Sequence, residues 1–334
     1  MTVLVTGASG FLGGALTHIL TRGDETVRIL ARPTSDLSHV KALPIETTVG
    51  DLSNPAILRE AVSGVSIIYH CAALSADWGS EEDFERANVT GVRNLLEATR
   101  IAGQVDRFVH VSTTDVYGYP RQSCDETAGM TDVGLPYNST KIAGENLVKA
   151  AHLAAGLPVT IVRPATIFGP RSPDFVVEMG RLLLEGELPL IGGGRSQAGL
   201  IYADDVATAM IAAAHTPETM GKAYNLRDPQ PMTWIEYASA LADGIGVAPP
   251  SRSLPSGLAW AAGWTMEAAY RLFRSNHRPL LTRHAVHILS RPQDYGIGKA
   301  QRDFGFAPAV GLKEGIKLAV AWLLSNEGKS ALRG

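Results

Sequence analysis

The chain has 334 residues, 45% hydrophobic and 19% charged, with a formal net charge of -3. That balance excludes a disordered chain, and it gives no electrostatic reason for a nucleic acid or an anionic membrane as partner. Its length calls for two packed regions. Two cysteines, Cys71 and Cys124, make no disulfide or metal framework and suit a reducing, cytoplasmic setting.

The first predicted strand starts at residue 2, so no signal peptide is expected. Val3, Leu4 and Val5 form an apolar run typical of a strand buried on both faces. Gly7, Gly10 and Gly13 follow at three-residue spacing, and then Phe11, Leu12, Ala15, Leu16, Ile19 and Leu20 recur with helical period. Strand, glycine turn and helix is the context in which a helix N-terminus captures a pyrophosphate. The candidate cradle is Gly7, Ser9, Gly10, Phe11, Leu12 and Gly13.

A second strand spans residues 26–31. NAD enzymes place an acidic residue at its end to hold the ribose hydroxyls. Here Ala31 is followed by Arg32, whose guanidinium suits a 2′-phosphate, with Ser35 as a second donor. NADP is therefore expected as cofactor, with NAD as the second candidate. A third strand, residues 45–49, ends in Gly50, Asp51 and Leu52. Asp51 either accepts from the adenine amino group or caps the helix before Pro55. A fourth strand, residues 67–70, leads into Cys71, Ala72 and Ala73, small enough for a cofactor to lie against. His70 reads as a core histidine.

Residues 83–102 are periodic and helical, with Asn88 inside, either tying the sheet centre together or facing solvent. A fifth strand, residues 107–111, ends in the hydroxyl-rich run Ser112, Thr113 and Thr114. A helix then opens at Tyr137 and runs to about Ala155. Tyr137 and Lys141 share a face of it. An ammonium and a positive nicotinamide ring are expected to lower the phenol's pKa toward neutral, so that it exchanges a proton with a substrate oxygen. A hydroxyl from Ser112 or Thr113 would hold that oxygen.

The segments TGASGFLGG, GDL, HCAA, ANVTGVRNLLEA, VSTTDVYG, YNSTK, RPATIFGP and IYADDVA stand in the order seen in extended short-chain dehydrogenases/reductases, which the chain resembles over most of its length. The resemblance implies Tyr137 as acid/base, Lys141 on the nicotinamide ribose, and Thr113 as the catalytic hydroxyl where the family more often has Ser. It also implies backbone contacts from Pro164 and Ile167 to the nicotinamide. The segments AALSADWGSEEDF, KAYNLRDPQPMTWIEYASALADGIG and RPLLTRHAVHILSRPQDYGIGKAQRDFGFAP resemble the 3β-hydroxysteroid dehydrogenase branch, whose relatives include 2-alkyl-3-oxoalkanoate and dihydroflavonol reductases. That branch implies a small, bulky apolar ketone or alcohol as substrate, and the family implies a homodimer through a helix pair.

Trp234, Trp260, Trp264, Met266, Tyr270 and Phe273 fall in the substrate half, as substrate-facing groups or as plain core. Residues 258–273 are apolar but carry Glu267 and Arg271 and are too short to span a bilayer; a lid or an interfacial helix in peripheral membrane contact is the alternative. Gly192, Gly193 and Gly194 with Arg195 read as a substrate-edge loop, and Asp204 and Asp205 as helix caps rather than metal ligands. The histidines have no metal-ligand spacing, so no metal site is expected.

The expected fold is α/β: a doubly wound parallel Rossmann sheet of about seven strands, with a smaller α+β C-terminal substrate domain. The expected division gives residues 1–169 plus 200–221 to the nucleotide and 170–199 plus 222–310 to the substrate, with 311–334 as a C-terminal helix and tail. The expected activity is NADP(H)-dependent interconversion of a ketone and a secondary alcohol. The alternatives are a nucleotide-sugar epimerase or dehydratase with tightly bound NAD, and a non-catalytic NADP-sensing regulator.

Overall fold

The structure, a computed structural model, describes residues 1–273 and 277–333. The strands are β1 (Thr2–Thr6), β2 (Thr26–Ala31), β3 (Ile45–Val49), β4 (Ile67–His70), β5 (Arg107–Val111), β6 (Val159–Pro164), β7 (Thr166–Phe168), β8 (Leu190–Ile191), β9 (Leu200–Tyr202), β10 (Ala223–Leu226) and β11 (Ser253–Leu254). Seven of them form one parallel sheet in the order β10-β6-β5-β4-β1-β2-β3. The strand order reverses between β1 and β4, which opens a ligand crevice at the carboxyl ends of those strands. β4 and β6 are buried along their whole length, as strands covered on both faces must be.

Alternation along β1 feeds two cores. Val3 and Val5 pack with Leu16, Ile29 and Met210 under α1 (Phe11–Leu20) and α7 (Ala203–His215). Leu4 packs on the other face with Leu58, Leu95 and Val148, from α2 (Pro55–Val62), α4 (Gly91–Ala102) and α5 (Pro136–Ala155). The helix expected over 83–102 is a composite: α3 (Glu81–Glu85), a π turn over Arg86–Thr90, then α4. Asn88 sits in the π turn. Its Oδ1 accepts from the Leu74 amide at 2.8 Å, and its Nδ2 donates to Leu74 O and to Thr140 Oγ1, both at 3.1 Å. It therefore ties the loop after β4 to α5. A Cβ on Gly144 of α5 would lie 2.4 Å from Asn88 O, so only glycine allows this approach.

The C-terminal half is largely helical. α6 (Met179–Glu185), α8 (Trp234–Ile245) and α12 (Gly311–Leu324) share a core with Trp234, Tyr237 and Leu323, and α13 (Asn326–Ala331) packs on α12. α9 (Ser256–Leu272) and α10 (Arg283–Ser290) pack against each other. α11 (Gly298–Phe304) returns to the large sheet, where Ala300 joins Ile297 and Phe306 in the core. β10 lies past residue 221, so the expected cut there leaves the sheet one strand short. The excursion from β10 to α11 is closed at its neck. Arg227 Nε donates to Tyr295 O at 2.9 Å, Arg227 Nη2 to Asp294 at 2.7 Å, and Tyr295 stacks on Tyr117.

Three local expectations change. Neither Asp204 nor Asp205 caps α7; the cap position is Tyr202. Asp205 instead accepts from the amides of Ala309, Val310 and Gly311, a link across more than 100 residues that no local pattern announces. Asp51 does not cap α2 either. Asn54 does, accepting from Ala56 and Ile57. The triple glycine has left-handed φ at all three positions and is pinned by a Gly193 N–H to Ser253 Oγ bond of 2.9 Å, which makes it a structural turn beside β8 and β11.

Candidate active site

The glycine turn is shaped by two close approaches. Gly7 has φ +77°, and a Cβ there would lie 2.7 Å from Ala72 N. A Cβ on Gly13 would lie 2.2 Å from Gly7 O. Gly10 starts α1 with no side-chain cap and no acidic residue in the first turn. The first amides of α1 thus face the crevice with their partial positive charge, beside half-buried Ser9, Phe11 and Leu12. This cradle fits a dinucleotide pyrophosphate.

Arg32 and Ser35 lie on one turn after β2, closed by the Ser35 N–H to Arg32 O bond. Arg32 is exposed. Burial works against ionisation of Asp51, but the Ser53 amide and hydroxyl and the Arg32 charge hold its carboxyl below the usual range. Arg32, Ser35 and Asp51 therefore share one corner. Leu52 packs on Gly91 beside them. Ala72 donates its amide to Thr6 Oγ1 at 3.3 Å, and exposed Ala73 follows. Pro164 ends β6, and Ile167 is half-buried in β7. His70 is core: its Nδ1 bonds Thr6 Oγ1, and burial lowers its pKa to about 3.

At the end of β5 the two candidate hydroxyls part. Ser112 Oγ donates to Glu145 at 2.7 Å and is committed there. Thr113 Oγ1 accepts from the Asp115 amide and is within hydrogen-bond reach of the Tyr137 phenol, as is Ser75. Lys141, one turn along α5 from Tyr137, is buried and donates to Val111 O at 2.7 Å. Burial pulls its ammonium down to about 8, against the charges of Glu145, Cys71 and Asp115. The expected lowering of Tyr137 is not what the protein's own groups do. Burial, then the Asp115 charge, push the phenol up, and the bonds to Ser75 and Thr113 offset only part of it. One turn further, Glu145 is fully buried between Arg163 and Lys149. Burial would raise it, but the Arg163 guanidinium and Lys149 hold it at about 2.

The cleft over Tyr137 is lined by Asp77, Trp78, Phe84, Leu135, Arg271 and His284. Of these the sequence reading assigned none a role. His284 Nε2 lies 2.8 Å from Asp115 Oδ2, and its ring meets the Tyr137 ring edge-on at 5.7 Å. Burial pulls the imidazole down, yet the Asp115 carboxylate prevails and its pKa is raised. Asp115 also accepts from Tyr119 Oη at 3.0 Å. Asp77 accepts from Arg278 at 2.6 Å and from Thr282 at 2.8 Å, so α9 and α10 are joined to the loop after β4. Glu267 holds the Arg283 amide and guanidinium. The signal was one-dimensional silence: His284 and Asp115 are 169 positions apart.

The six aromatic and Met positions of the substrate half divide. Trp234 is core, 2% exposed, with its Nε1–H on Ile288 O. Trp260, Trp264 and Phe273 face outward. Met266 is half-buried in α9. Tyr270 reaches the cleft, edge-on to Trp78 at 6.3 Å. Among the described residues no cluster of His, Cys, Asp and Glu could hold a metal ion, and no helix is long and apolar enough to cross a membrane.

Residues 3–226 match the model of the NAD dependent epimerase/dehydratase family. The chain is 31% identical over 327 residues to a 2-alkyl-3-oxoalkanoate reductase of Stenotrophomonas maltophilia, covering 95% of this chain and 98% of that one. It is 31% identical over 342 residues to a 3 beta-hydroxysteroid dehydrogenase/Delta 5-->4-isomerase of Mycobacterium tuberculosis, covering 97% and 90%. The fold superposes on a UDP-glucuronic acid 4-epimerase of Bacillus cereus in complex with NAD at a TM-score of 0.77, with 24% identity over 97% and 98% of the chains; this likeness concerns the fold alone. With the glycine cradle, the strand order and these matches together, the chain belongs to the NAD dependent epimerase/dehydratase family, the extended short-chain dehydrogenases/reductases, and is an NAD(P)-dependent oxidoreductase of that class.

Proposed function

We propose that the enzyme interconverts a ketone and a secondary alcohol on a bulky substrate, with NADP(H) as its nicotinamide. The observation that carries this reading is the pair of half-buried Tyr137 and buried Lys141, one turn apart on α5, with the Thr113 hydroxyl on the phenol. The names of the two relatives, a 3-oxoalkanoate reductase and a hydroxysteroid dehydrogenase, support it. The nicotinamide, when bound, exchanges the hydride. Thr113 orients the substrate oxygen, and Tyr137 Oη gives that oxygen its proton in reduction. Lys141 holds the ribose and favours the phenolate left behind. Because burial and Asp115 keep the phenol protonated, Tyr137 serves as an acid at neutral pH, which suits reduction.

Gly7, Ser9, Gly10, Phe11, Leu12 and Gly13 would hold the pyrophosphate. Asp51 and Leu52 would border the adenine, Arg32 and Ser35 the 2′-phosphate, and Ala72, Ala73, Pro164 and Ile167 the nicotinamide side. The test is a panel of ketones and secondary alcohols run with NADPH and NADH and followed by the absorbance of reduced nicotinamide. Ketone turnover preferring NADPH is expected, and Arg32→Asp should raise the KM for NADPH far more than that for NADH.

A second reading, a nucleotide-sugar epimerase or dehydratase holding NAD through its cycle, draws on the charged groups around the cleft, Asp77, Arg271 and His284, which suit sugar hydroxyls. Tightly bound NAD in the purified protein with no turnover on the panel would favour it.

A further inference from the structure

α9 is amphipathic in an unusual sense. Ala259, Gly263 and Glu267, four apart, form its inner face. A Cβ on Gly263 would lie 3.3 Å from the Thr282 carbonyl carbon, so the helix sits tightly on the start of α10. The outer face is the apolar one. Leu258 is 61% exposed, Trp264 60%, Leu272 78% and Phe273 80%, with Trp260 beside them at 41%. No comparable run of exposed large apolar side chains occurs elsewhere among the described residues. A patch of this kind marks an interaction site.

Its charge names the partner. Residues 251–283 contain five arginines and one carboxylate, in a chain whose overall charge is -3. The one carboxylate, Glu267, is 4% exposed and bound to Arg283. Arg278 is paired with Asp77. Arg252 and Arg271 remain exposed at the two ends of α9, Arg271 at the rim of the cleft with its guanidinium 5.8 Å from the Trp78 ring centroid, and the outer face of α9 has no carboxylate. A twofold contact with a second copy would bring these arginines against themselves, an arrangement like charges oppose. An anionic surface takes both the charge and the apolar side chains.

We propose that the outer face of α9 docks on an anionic lipid bilayer. Trp264, Leu258 and Leu272 enter the boundary between headgroups and acyl chains, and Arg252 and Arg271 meet the lipid phosphates. Because Glu267 and Arg271 of the same helix line the cleft over Tyr137, docking sets the cleft mouth beside the lipid. That delivery of a bulky apolar substrate rests on the function proposed above; the docking itself does not.

The test is flotation of the full chain with phosphatidylcholine vesicles, with and without phosphatidylglycerol. Partition onto the anionic vesicles should exceed that onto neutral ones by roughly tenfold or more and fall with added salt. The double substitution Trp264→Ser, Leu272→Ser should lower it at least roughly tenfold and leave the melting temperature unchanged, since both side chains are exposed. Three results would overturn the proposal: binding to neither vesicle, binding indifferent to lipid charge or to the substitutions, or a dimer by light scattering that the same substitutions split. Absence of ketone turnover on the panel would sink the proposed reaction and leave the vesicle result standing.

Discussion

The floor and the roof of the cleft are built on different terms. The floor, from the end of β5 to the first turns of α5, is locked from beneath. Asn88 pins α5 to the loop after β4, and Glu145 clamps α5 to Arg163 of β6 and to Ser112. The roof, α9 and α10, reaches the floor through a few polar contacts, Arg278 and Thr282 on Asp77 and His284 on Asp115, and turns apolar side chains outward. Positional precision for proton transfer calls for the first kind of construction. Choosing and admitting a substrate is served by the second, which can vary without disturbing the sheet.

Each half of that contrast can be broken by substitution. Tyr137→Phe removes the acid proposed for the floor and should lower turnover by about 10²–10⁴-fold, while nucleotide binding, followed by fluorescence titration, survives; an active variant ends the assignment. Lys141→Met should also depress turnover, yet make the protein more stable by ~1–3 kcal/mol at pH 7, since an ammonium buried without a carboxylate partner is costly. The sign follows from its pKa. With the folded value near 8 and the unfolded near 10.5, the wild-type penalty is full below pH 8 and fades as pH rises toward 10.5. Denaturant midpoints at pH 7 and pH 10 check this, and the advantage of the variant should shrink at the higher pH.

The smallest effect should come from the roof. His284→Ala takes away the hydrogen bond that His284 Nε2 gives the Asp115 carboxylate beside Tyr137, so the phenolate is disfavoured and the alkaline limb of alcohol oxidation moves to higher pH. Asp115→Asn removes the charge that raises the phenol and should move the limb to lower pH. Other charged groups near this pair, Asp77, Asp174 and Lys141, are unchanged in both variants. A limb that stays put in both would mean that the roof has no electrostatic hold on the floor.

How much of this could be read from one dimension follows the same division. The seven-stranded sheet and its glycine turn were legible because their signals are local: apolar runs, three glycines, then helical period. Tyr137, Lys141 and Thr113 could be nominated because they stand in short motifs beside strand ends. Ser75, Asp115 and His284 carried no such mark, since their meeting depends on three segments converging. Local logic also misled. Two aspartates before an apolar helix look like caps, yet Asp205 serves a loop a hundred residues on. Tryptophans in a substrate half left lining and plain core both open, and burial divides them: Trp234 is core and Trp264 faces outward. Net charge hid the arginine-rich stretch around α9 because acidic residues elsewhere cancel it.

The buttoned neck between Arg227 and the Asp294–Tyr295 backbone has a wider consequence. The described residues from 228 to 293 depart from the large sheet and rejoin it at a single doorway, so this stretch of 66 positions behaves as a cassette. Lineages, or protein engineers, can exchange that cassette at its two hinges and retune what the enzyme accepts, while the hydride-handling machinery keeps its alignment.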